Sequence, residues 1–417
     1  MGYQTIAVVG TGAREHALAS VLAREGRVVV VGGNPGMPFP RVATVDDVEA
    51  DLYVVGPEQP LVDGLADRLR AGGKLVLGPG ADGAKLEGSK AWMKDVTESA
   101  HVPSADYFVV TTLAQAEVAL RELQRRGFRG YAIKTDGLAA GKGVLVTRDF
   151  ADAMADVGAK LDGAFGDAGK TLVIEGLLEN KGPGEAYEVS IFAICNGTDY
   201  VLLEGAQDYK RLAPGSSVNT GGTGAYSPTR DQHLLAEWAE LTIRPLLAEL
   251  KRRGVDYRGI LYAGLMIVDG QPYLLEYNIR MGDPEAQAVL LRIKGAFLPT
   301  LMQAAAGKPM DPVQFSNDVA IGTVLMSRGY PSDVQDGFVI SGIEAALRVP
   351  DTQIFYGGVA SDEQHQLVTK GGRVLTVVTR GSNPAEVKTR NNRAVALIDF
   401  EGKHYRADIG NELLGAS

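Results

Sequence analysis

Four short apolar runs open the chain, at residues 6–9, 27–31, 52–55 and 75–77, and each breaks off at a glycine. Stretches of helical periodicity lie between them, at residues 13–25 and 63–70. Runs this short and this apolar suit strands buried on both faces. Strand, turn and helix repeated in that order lead to a doubly wound parallel sheet over residues 1–103. Loops after such strands gather along one edge of the sheet, where ligands bind. The first loop, Gly10-Thr11-Gly12-Ala13-Arg14-Glu15-His16, offers backbone amides and a helix N-terminus to a phosphate. It is only part of a dinucleotide fingerprint, because Glu15 stands at the third glycine position. The second strand ends in Gly32-Gly33-Asn34, with no acid for a ribose, so NAD is disfavoured.

At 417 residues the chain needs further units beyond this one. Its net charge of −9 weighs against a broad nucleic-acid surface. A single cysteine, Cys195 in the run IFAIC, excludes an internal disulfide and a cysteine metal site, and reads as buried filler. The histidines, His16, His101, His233, His365 and His404, show no metal-ligand spacing. With no signal-peptide pattern and no membrane-length apolar run, a cytoplasmic protein without membrane or nucleic-acid partners is expected. Asn196-Gly197-Thr198 accordingly reads as a hairpin turn rather than a glycosylation acceptor.

The densest chemistry lies at residues 274–285, LLEYNIRMGDPE. In an extended strand residues two apart share a face, so the Glu276 carboxylate and the Asn278 amide oxygen can converge. That pair of oxygens suits a hard divalent cation that keeps waters and bridges phosphates, Mg²⁺ rather than Zn²⁺. Arg280 would follow on the same alternation as a planar cationic fork. Gly282-Asp283-Pro284-Glu285 reads as a turn into a helix, with Asp283 as N-cap and Pro284 at the first helical position.

Two lysine-bearing stretches point to phosphate as well. Residues 88–94, GSKAWMK, open a helix capped by Ser89, and Lys90 in its first turn opposes the helix dipole, a hint that it serves an anion. Val102-Pro103-Ser104 closes this helix and marks a domain boundary. A strand at 107–110, a helix at 113–126 and a strand at 131–134 lead into residues 133–144, IKTDGLAAGKGV. Lys134 ends the strand, and Lys142 sits between Gly141 and Gly143. A P-loop would need Ser or Thr after the lysine, so this reads as a phosphate-covering lid, with a flexible hairpin loop as the plain alternative. After a helix at 149–161, the strand at 171–175 ends in Glu175, which with the segment after it can accept from an adenine amino group. Glu188 precedes the strand 189–195, which pairs with 200–205, and can accept from ribose hydroxyls. Residues 206–211, AQDYKR, and 219–225, NTGGTGA, read as a substrate loop. One long helix at 232–253 should follow, then strands at 259–268 and 272–277 turned by Asp269-Gly270, and helices after Pro284 and near 296–306. Beyond residue 330, β runs at 352–359 and 373–378 and a helix at 384–396 suggest a small α+β tail with no chemistry of its own.

Ordered motifs span the chain: GTGAREHAL at 10–18, GPEQPLVDGL at 56–65, LEGSKAWMKD at 86–95, IKTDGLAAGKGV at 133–144, AFGDAG at 164–169, NTGGTGAYSP at 219–228, LYAGLM at 261–266, NIRMGDPE at 278–285 and GGRVL at 371–375. In these the chain resembles the phosphoribosylamine–glycine ligase (glycinamide ribonucleotide synthetase) family of ATP-grasp enzymes. The resemblance implies an α/β and α+β multidomain chain: a doubly wound N-terminal domain (1–103), an ATP-grasp core (104–330, with a lid over 128–190) and a C-terminal α+β domain (331–417). It implies ATP, Mg²⁺ (or Mn²⁺), glycine and 5-phosphoribosylamine as ligands, a monomer, and ligation through a glycyl phosphate. It places Glu276 and Asn278 on the metal, and Lys90, Lys134, Gly141, Gly143, Glu175 and Glu188 on ATP. Arg280 would steady the acyl phosphate and Lys142 would close the lid. Gly12, Arg14, Glu15, Pro57 and Glu58 would face the phosphoribosyl group. Asp208, Lys210, Arg211, Asn219, Thr220, Gly221, Gly222 and Asp283 would complete the substrate side.

The chain departs from the family pattern at Tyr209 (for His), at Thr223 (for Met), in residues 212–218, which run one residue short, and in an insertion at 180–184. These departures leave two other readings open: another carboxylate–amine ligase on the same scaffold, or a silent nucleotide-binding relative.

Overall fold

The computed structural model describes residues 4–137, 143–182 and 184–415. Its first layer is the anticipated parallel sheet. Strands Thr5–Gly10, Arg27–Gly32, Arg41–Val42, Leu52–Val55 and Val76–Leu77 lie in the order 3-2-1-4-5. Chain direction across the sheet reverses at the first strand, so the crevice at its carboxyl end is open to a ligand. The helix Ala13–Leu22 starts there. The helix expected over 63–70 is preceded by a short one, Glu58–Val62, and Gly64 in a left-handed conformation (φ 80°) separates it from Leu65–Ala71.

A second, antiparallel sheet runs in the order Tyr107–Val110, Leu172–Gly176, Tyr131–Thr135, Val144–Thr147. Helices Leu113–Arg125 and Phe150–Ala159 present their apolar faces to it, burying Leu120, Leu123, Ile133, Val157 and Ile174 in a core of its own. A third sheet joins Tyr200–Leu202, Tyr187–Asn196, Arg258–Val268 and Gln271–Asn278. In its last pair Gly264 faces Glu276 and Leu265 faces Leu274, leaving Leu275 as an extra, bulged residue. Bulges re-aim side chains and free backbone groups from the ladder.

The single long helix expected over 232–253 is broken. A turn at Gln232–Leu234 leads to Leu235–Thr242 and Arg244–Arg252, with the interruption at Ile243. Pro245 has no N–H for the preceding turn, so an unbroken helix cannot pass through it. Cys195 is buried, and its thiol is pushed up by burial. The Asn196 amide oxygen caps the hairpin by accepting from the Thr198 and Asp199 amides, at 3.0 and 2.8 Å.

A fourth sheet runs in the order Gln207–Asp208, Gly224–Ser227, Val319–Met326, Arg373–Gly381, Thr352–Tyr356. The strand Val319–Met326 was not anticipated. It pairs with the substrate-loop strand on one side and a C-terminal strand on the other, so this sheet runs across residue 330. The helix Glu285–Leu291 is buried throughout, within a core cluster that also holds residues of helix Ala13–Leu22 and of this sheet. It locks the 274–285 segment to both ends of the chain. No helix among the described residues is long and apolar enough to cross a membrane.

Candidate active site

Three anticipated side chains meet where the second and third sheets approach each other. Glu276 and Asn278 share a face of strand Gln271–Asn278, with 3.3 Å between Glu276 Oε1 and the Asn278 amide nitrogen. The Lys134 ammonium donates to the Leu275 carbonyl at 3.1 Å, the group the bulge leaves free of the ladder. Burial opposes ionisation of Glu276, but Lys90, Lys210 and Lys134 more than offset this and hold its carboxyl below the usual range. The donor set is oxygen only, with two protein ligands, and suits a metal whose shell is completed by phosphate and water. Among the described residues no group of three or more His, Cys, Asp and Glu could hold a metal by itself.

Lys90 begins helix Lys90–Ser99, whose N-cap Ser89 accepts from the Trp92 amide at 3.1 Å. The Lys90 ammonium reaches the Gly137 carbonyl at 3.1 Å. Burial drives its proton affinity down, a pull that Glu276 resists. Asp136, which sequence reasoning passed over, accepts from the Ala91 amide at 3.1 Å and fastens the lid stem to this helix. A carboxylate paired to a helix N-terminus carries no motif of its own, so only the fold reveals it. Lys142 and Gly141 lie outside the described residues. Gly143 is described, and its carbonyl accepts from the Thr135 amide at 3.0 Å. Glu188 is half-buried, 3.5 Å from the Lys210 ammonium; burial raises its carboxyl.

Glu175 requires a correction. One oxygen lies 3.0 Å from Lys94 Nζ and the other 2.9 Å from Lys134 Nζ, and the residue is 2% exposed. The Glu175 backbone is also enclosed, between Tyr107 on one strand and Ala132 on the other. This carboxylate is engaged with lysines and is not free to meet an adenine amino group.

The other half of the site is a cavity of about 480 Å³, lined in part by Gly12, Asn219, Thr220, Gly221, Asp283 and Arg373. Three distant segments close it. The Gly221 amide donates to the Tyr330 hydroxyl at 2.9 Å, and Arg373 Nη1 donates to the Gly221 carbonyl at 2.7 Å. Arg373 also sits 3.5 Å from Asp283. The C-terminal segment therefore contributes a cation to the site, contrary to its expected silence. The signal was present in GGRVL, a glycine pair before an arginine.

Several expected residues lie nearby in other roles. Glu15 is 3% exposed and turned back into its own loop. It accepts from the Gly12 amide at 2.7 Å and pairs with Arg14 at 2.6 Å. A Cβ at Gly10 or Gly56 would fall within about 2.5 Å of the Glu15 side chain, so those glycines make room for it. Glu15 thus shapes the loop instead of facing the cavity. Pro57 is the N-cap of helix Glu58–Val62. Glu58 lies 3.1 Å from Arg280 and 3.9 Å from Arg14. Arg280 lies past the end of the strand and pairs with Glu87 as well, whose other oxygen accepts from the Ile279 amide at 2.9 Å.

Asp283 is not the helix N-cap. The helix begins at Glu285 after Pro284, and the Asp283 carboxylate accepts instead from Gln287 at 2.7 Å. Burial opposes its ionisation, and Arg373 and Arg14 overcome that. Gly222 (φ 115°) packs against Pro284 rather than lining the cavity. Arg211 turns to its own loop, donating to the Ser217 carbonyl at 2.6 Å. Asp208 and Lys210 pair at 2.6 Å between the two halves.

Two departures from the family pattern, Tyr209 and Thr223, face away from both halves. Tyr209 points toward the C-terminus, accepting from the Gly410 amide at 2.8 Å and donating to Glu412, with Arg406 over its ring. Thr223 is fully buried and donates to the Tyr209 and Arg211 carbonyls at 2.9 and 3.2 Å.

Models of the phosphoribosylglycinamide synthetase family match the chain in three stretches: the N domain over residues 4–87, the ATP-grasp (A) domain over 88–286 and the C domain over 320–412. The phosphoribosylamine–glycine ligase of Caulobacter vibrioides is 39% identical over 428 residues, covering 97% of each chain. That of Streptomyces coelicolor is 38% identical over 434 residues, covering 99% of this chain and 100% of the relative. The crystal structure of the Thermotoga maritima phosphoribosylamine–glycine ligase superposes with a TM-score of 0.82 at 31% identity, over 97% of this chain and 99% of the other. Biotin carboxylase of Campylobacter jejuni shares the fold alone, with a TM-score of 0.70 at 12% identity over 98% of this chain and 94% of the other.

Proposed function

The chain belongs to the phosphoribosylglycinamide synthetase family, an ATP-grasp ligase that joins glycine to 5-phosphoribosylamine in purine synthesis, and from that premise we propose how its residues divide the work. The observation that carries the reading is the convergence of Lys90 and Lys134 on the Glu276–Asn278 pair, beside a second, arginine-lined cavity.

Glu276 and Asn278 would hold Mg²⁺ (or Mn²⁺), which would supply neutralisation of the phosphate charge. Lys90 and Lys134 bind phosphate oxygens from the sheet side, while Gly141, Lys142 and Gly143 cover them. The segment after Glu175 takes the adenine, and Glu188 takes the ribose hydroxyls. The glycine carboxylate attacks the γ-phosphate, ADP leaves, and glycyl phosphate forms. The phosphoribosylamine nitrogen then attacks the acyl carbon and phosphate leaves. Both steps need positioning and charge neutralisation more than acid–base groups. Arg280 steadies the acyl phosphate after exchanging its contact with Glu58 or Glu87. Asp208 and Lys210 border the glycine. The phosphoribosyl group occupies the cavity, its phosphate beside Arg373 and against the Gly12 backbone, with Arg14 and Glu58 nearby and Asn219–Gly221 as the cover.

The functional division runs 1–103, 104–330 and 331–417, with the lid over 128–190, in a cytoplasmic monomer. Because Tyr209 packs toward the C-terminal segment and Thr223 bonds within its own loop, their departure from the family pattern favours unchanged acceptor specificity.

Mn²⁺ binding followed by paramagnetic resonance in the presence of ATP tests the metal assignment. Glu276→Ala should lose the nucleotide-dependent Mn²⁺ site and with it turnover. An unchanged Mn²⁺ site would overturn the assignment.

A further inference from the structure

Lys94 sits one helical turn after Lys90 and is 0% exposed, sealed beneath the ATP half of the site. Its ammonium lies 3.0 Å from Glu175 Oε1, yet neither atom has an aligned hydrogen-bond partner. Its other close neighbour is the Tyr107 ring, 5.4 Å away. A buried ammonium is costly unless its charge is compensated and its protons are bonded. Here the charge is compensated and the bonding is poor, so what this residue contributes is charge. Glu175 shares its second oxygen with Lys134 at 2.9 Å. Lys94, Glu175 and Lys134 together carry one net positive charge. Without Lys94 the remaining pair would be neutral.

We propose that Lys94 is a positioning residue for ATP: by compensating Glu175 from behind, it leaves the Lys134 charge free for the nucleotide phosphates. Glu175 is thereby a brace that aims Lys134 across to the Leu275 carbonyl, and Lys94 keeps that brace from neutralising what it holds. Burial and the nearby Lys134 both weaken proton binding at Lys94, and the Glu175 carboxylate counters them. This inference rests on the reading that Lys134 meets phosphate.

Steady-state kinetics and calorimetry on the full-length enzyme test it, using ATP, ADP and adenosine as probes. Lys94→Met should raise the ATP KM about tenfold, the scale of one lost charge-assisted contact, with kcat little changed. ADP should weaken by a similar factor and adenosine should not. Lys94→Met combined with Glu175→Gln restores one net positive charge and should recover most of the ATP affinity. A packing role would instead make the double variant worse than either single one, or weaken adenosine as much as ADP, and either result would overturn the proposal. An unchanged ATP KM in Lys94→Met would overturn it too. If Lys94→Met fails to accumulate folded, the double variant decides: an ATP KM near wild type supports the proposal, and a tenfold rise refutes it. Lys134→Met serves as the control, since wild-type ADP affinity there would refute the reading of Lys134 itself.

Discussion

The two halves of the site handle charge in opposite ways. On the ATP side Lys90 forms no ion pair among the described residues and touches only a backbone carbonyl, while the Lys134 charge is shared with a carboxylate that Lys94 also compensates. On the cavity side three arginines already have acids: Arg14 with Glu15, Arg280 with Glu58 and Glu87, Arg373 with Asp283. Lysine charge that is not tied up in a one-to-one ion pair suits the triphosphate, the most highly charged ligand. An arginine–carboxylate lattice holds its forks in fixed orientation and suits a smaller anion, for which geometry matters more than gross charge. The contrast also follows connectivity. The ATP side is built on strands and one helix that carry their motifs in short stretches. The cavity is assembled from a loop near residue 12, a loop near 220 and a turn before strand Arg373–Gly381.

The contrast can be broken in graded steps. The largest effect is expected from Glu276→Ala, which should lower kcat by roughly 10²–10³ or more, the scale seen when charge stabilisation is removed at a reacting centre. Near-normal turnover would place the metal elsewhere. Next, Arg373→Met should raise KM for phosphoribosylamine by roughly 10–100-fold, the worth of a bidentate charged contact. The KM for ATP should stay as it was, and a matching rise there would mean the two halves are not separate.

Acid should loosen the packing behind the first loop. His16 is buried among Phe39, Phe355 and Tyr356, and its Nδ1 accepts from the Tyr356 amide at 3.0 Å. Burial lowers its pKa from 6.5 to about 4. The unfolded chain therefore binds this proton at higher pH than the folded one. Stability from the neutral ring is full above pH 6.5 and is lost as pH falls toward 4, by at most about 3 kcal/mol. Denaturant titrations of wild type and His16→Phe between those pH values check this. The variant should show a shallower acid decline, and parallel curves would remove His16 as the cause. The smallest effect is expected from Tyr209→His with Thr223→Met, which restores the family residues. Acceptor KM and substrate preference should change less than about threefold, the range of ordinary surface and packing adjustments. A larger change would show that the C-terminal packing reaches the cavity.

Much of the ATP half was legible before any fold was known. Lys90, Lys134, Glu276 and Asn278 sit at strand ends and a helix start, where local pattern predicts both direction and partner. The breaks in expectation share a cause. Glu175 reads as a free strand-end acid until Lys94, from an earlier helix, is seen against it. Glu15 reads as a substrate contact until the space left by Gly10 and Gly56 shows where it turns. Asp283 is a good N-cap by type, but Gln287 and Arg373 draw its carboxylate away.

The sequence by itself determined most of the strands and helices, the reaction family and which lysines to assign to phosphate. These depend on periodicity, glycine placement and motif spacing, all of which are properties of neighbouring residues. Tertiary structure alone decided which charges compensate which. It turned Tyr209 and Thr223 away from the site, brought Arg373 into the cavity and sealed Lys94 behind Glu175. Electrostatic pairing depends on distance and burial through space, and residues hundreds of positions apart along the chain carry no local sign of it.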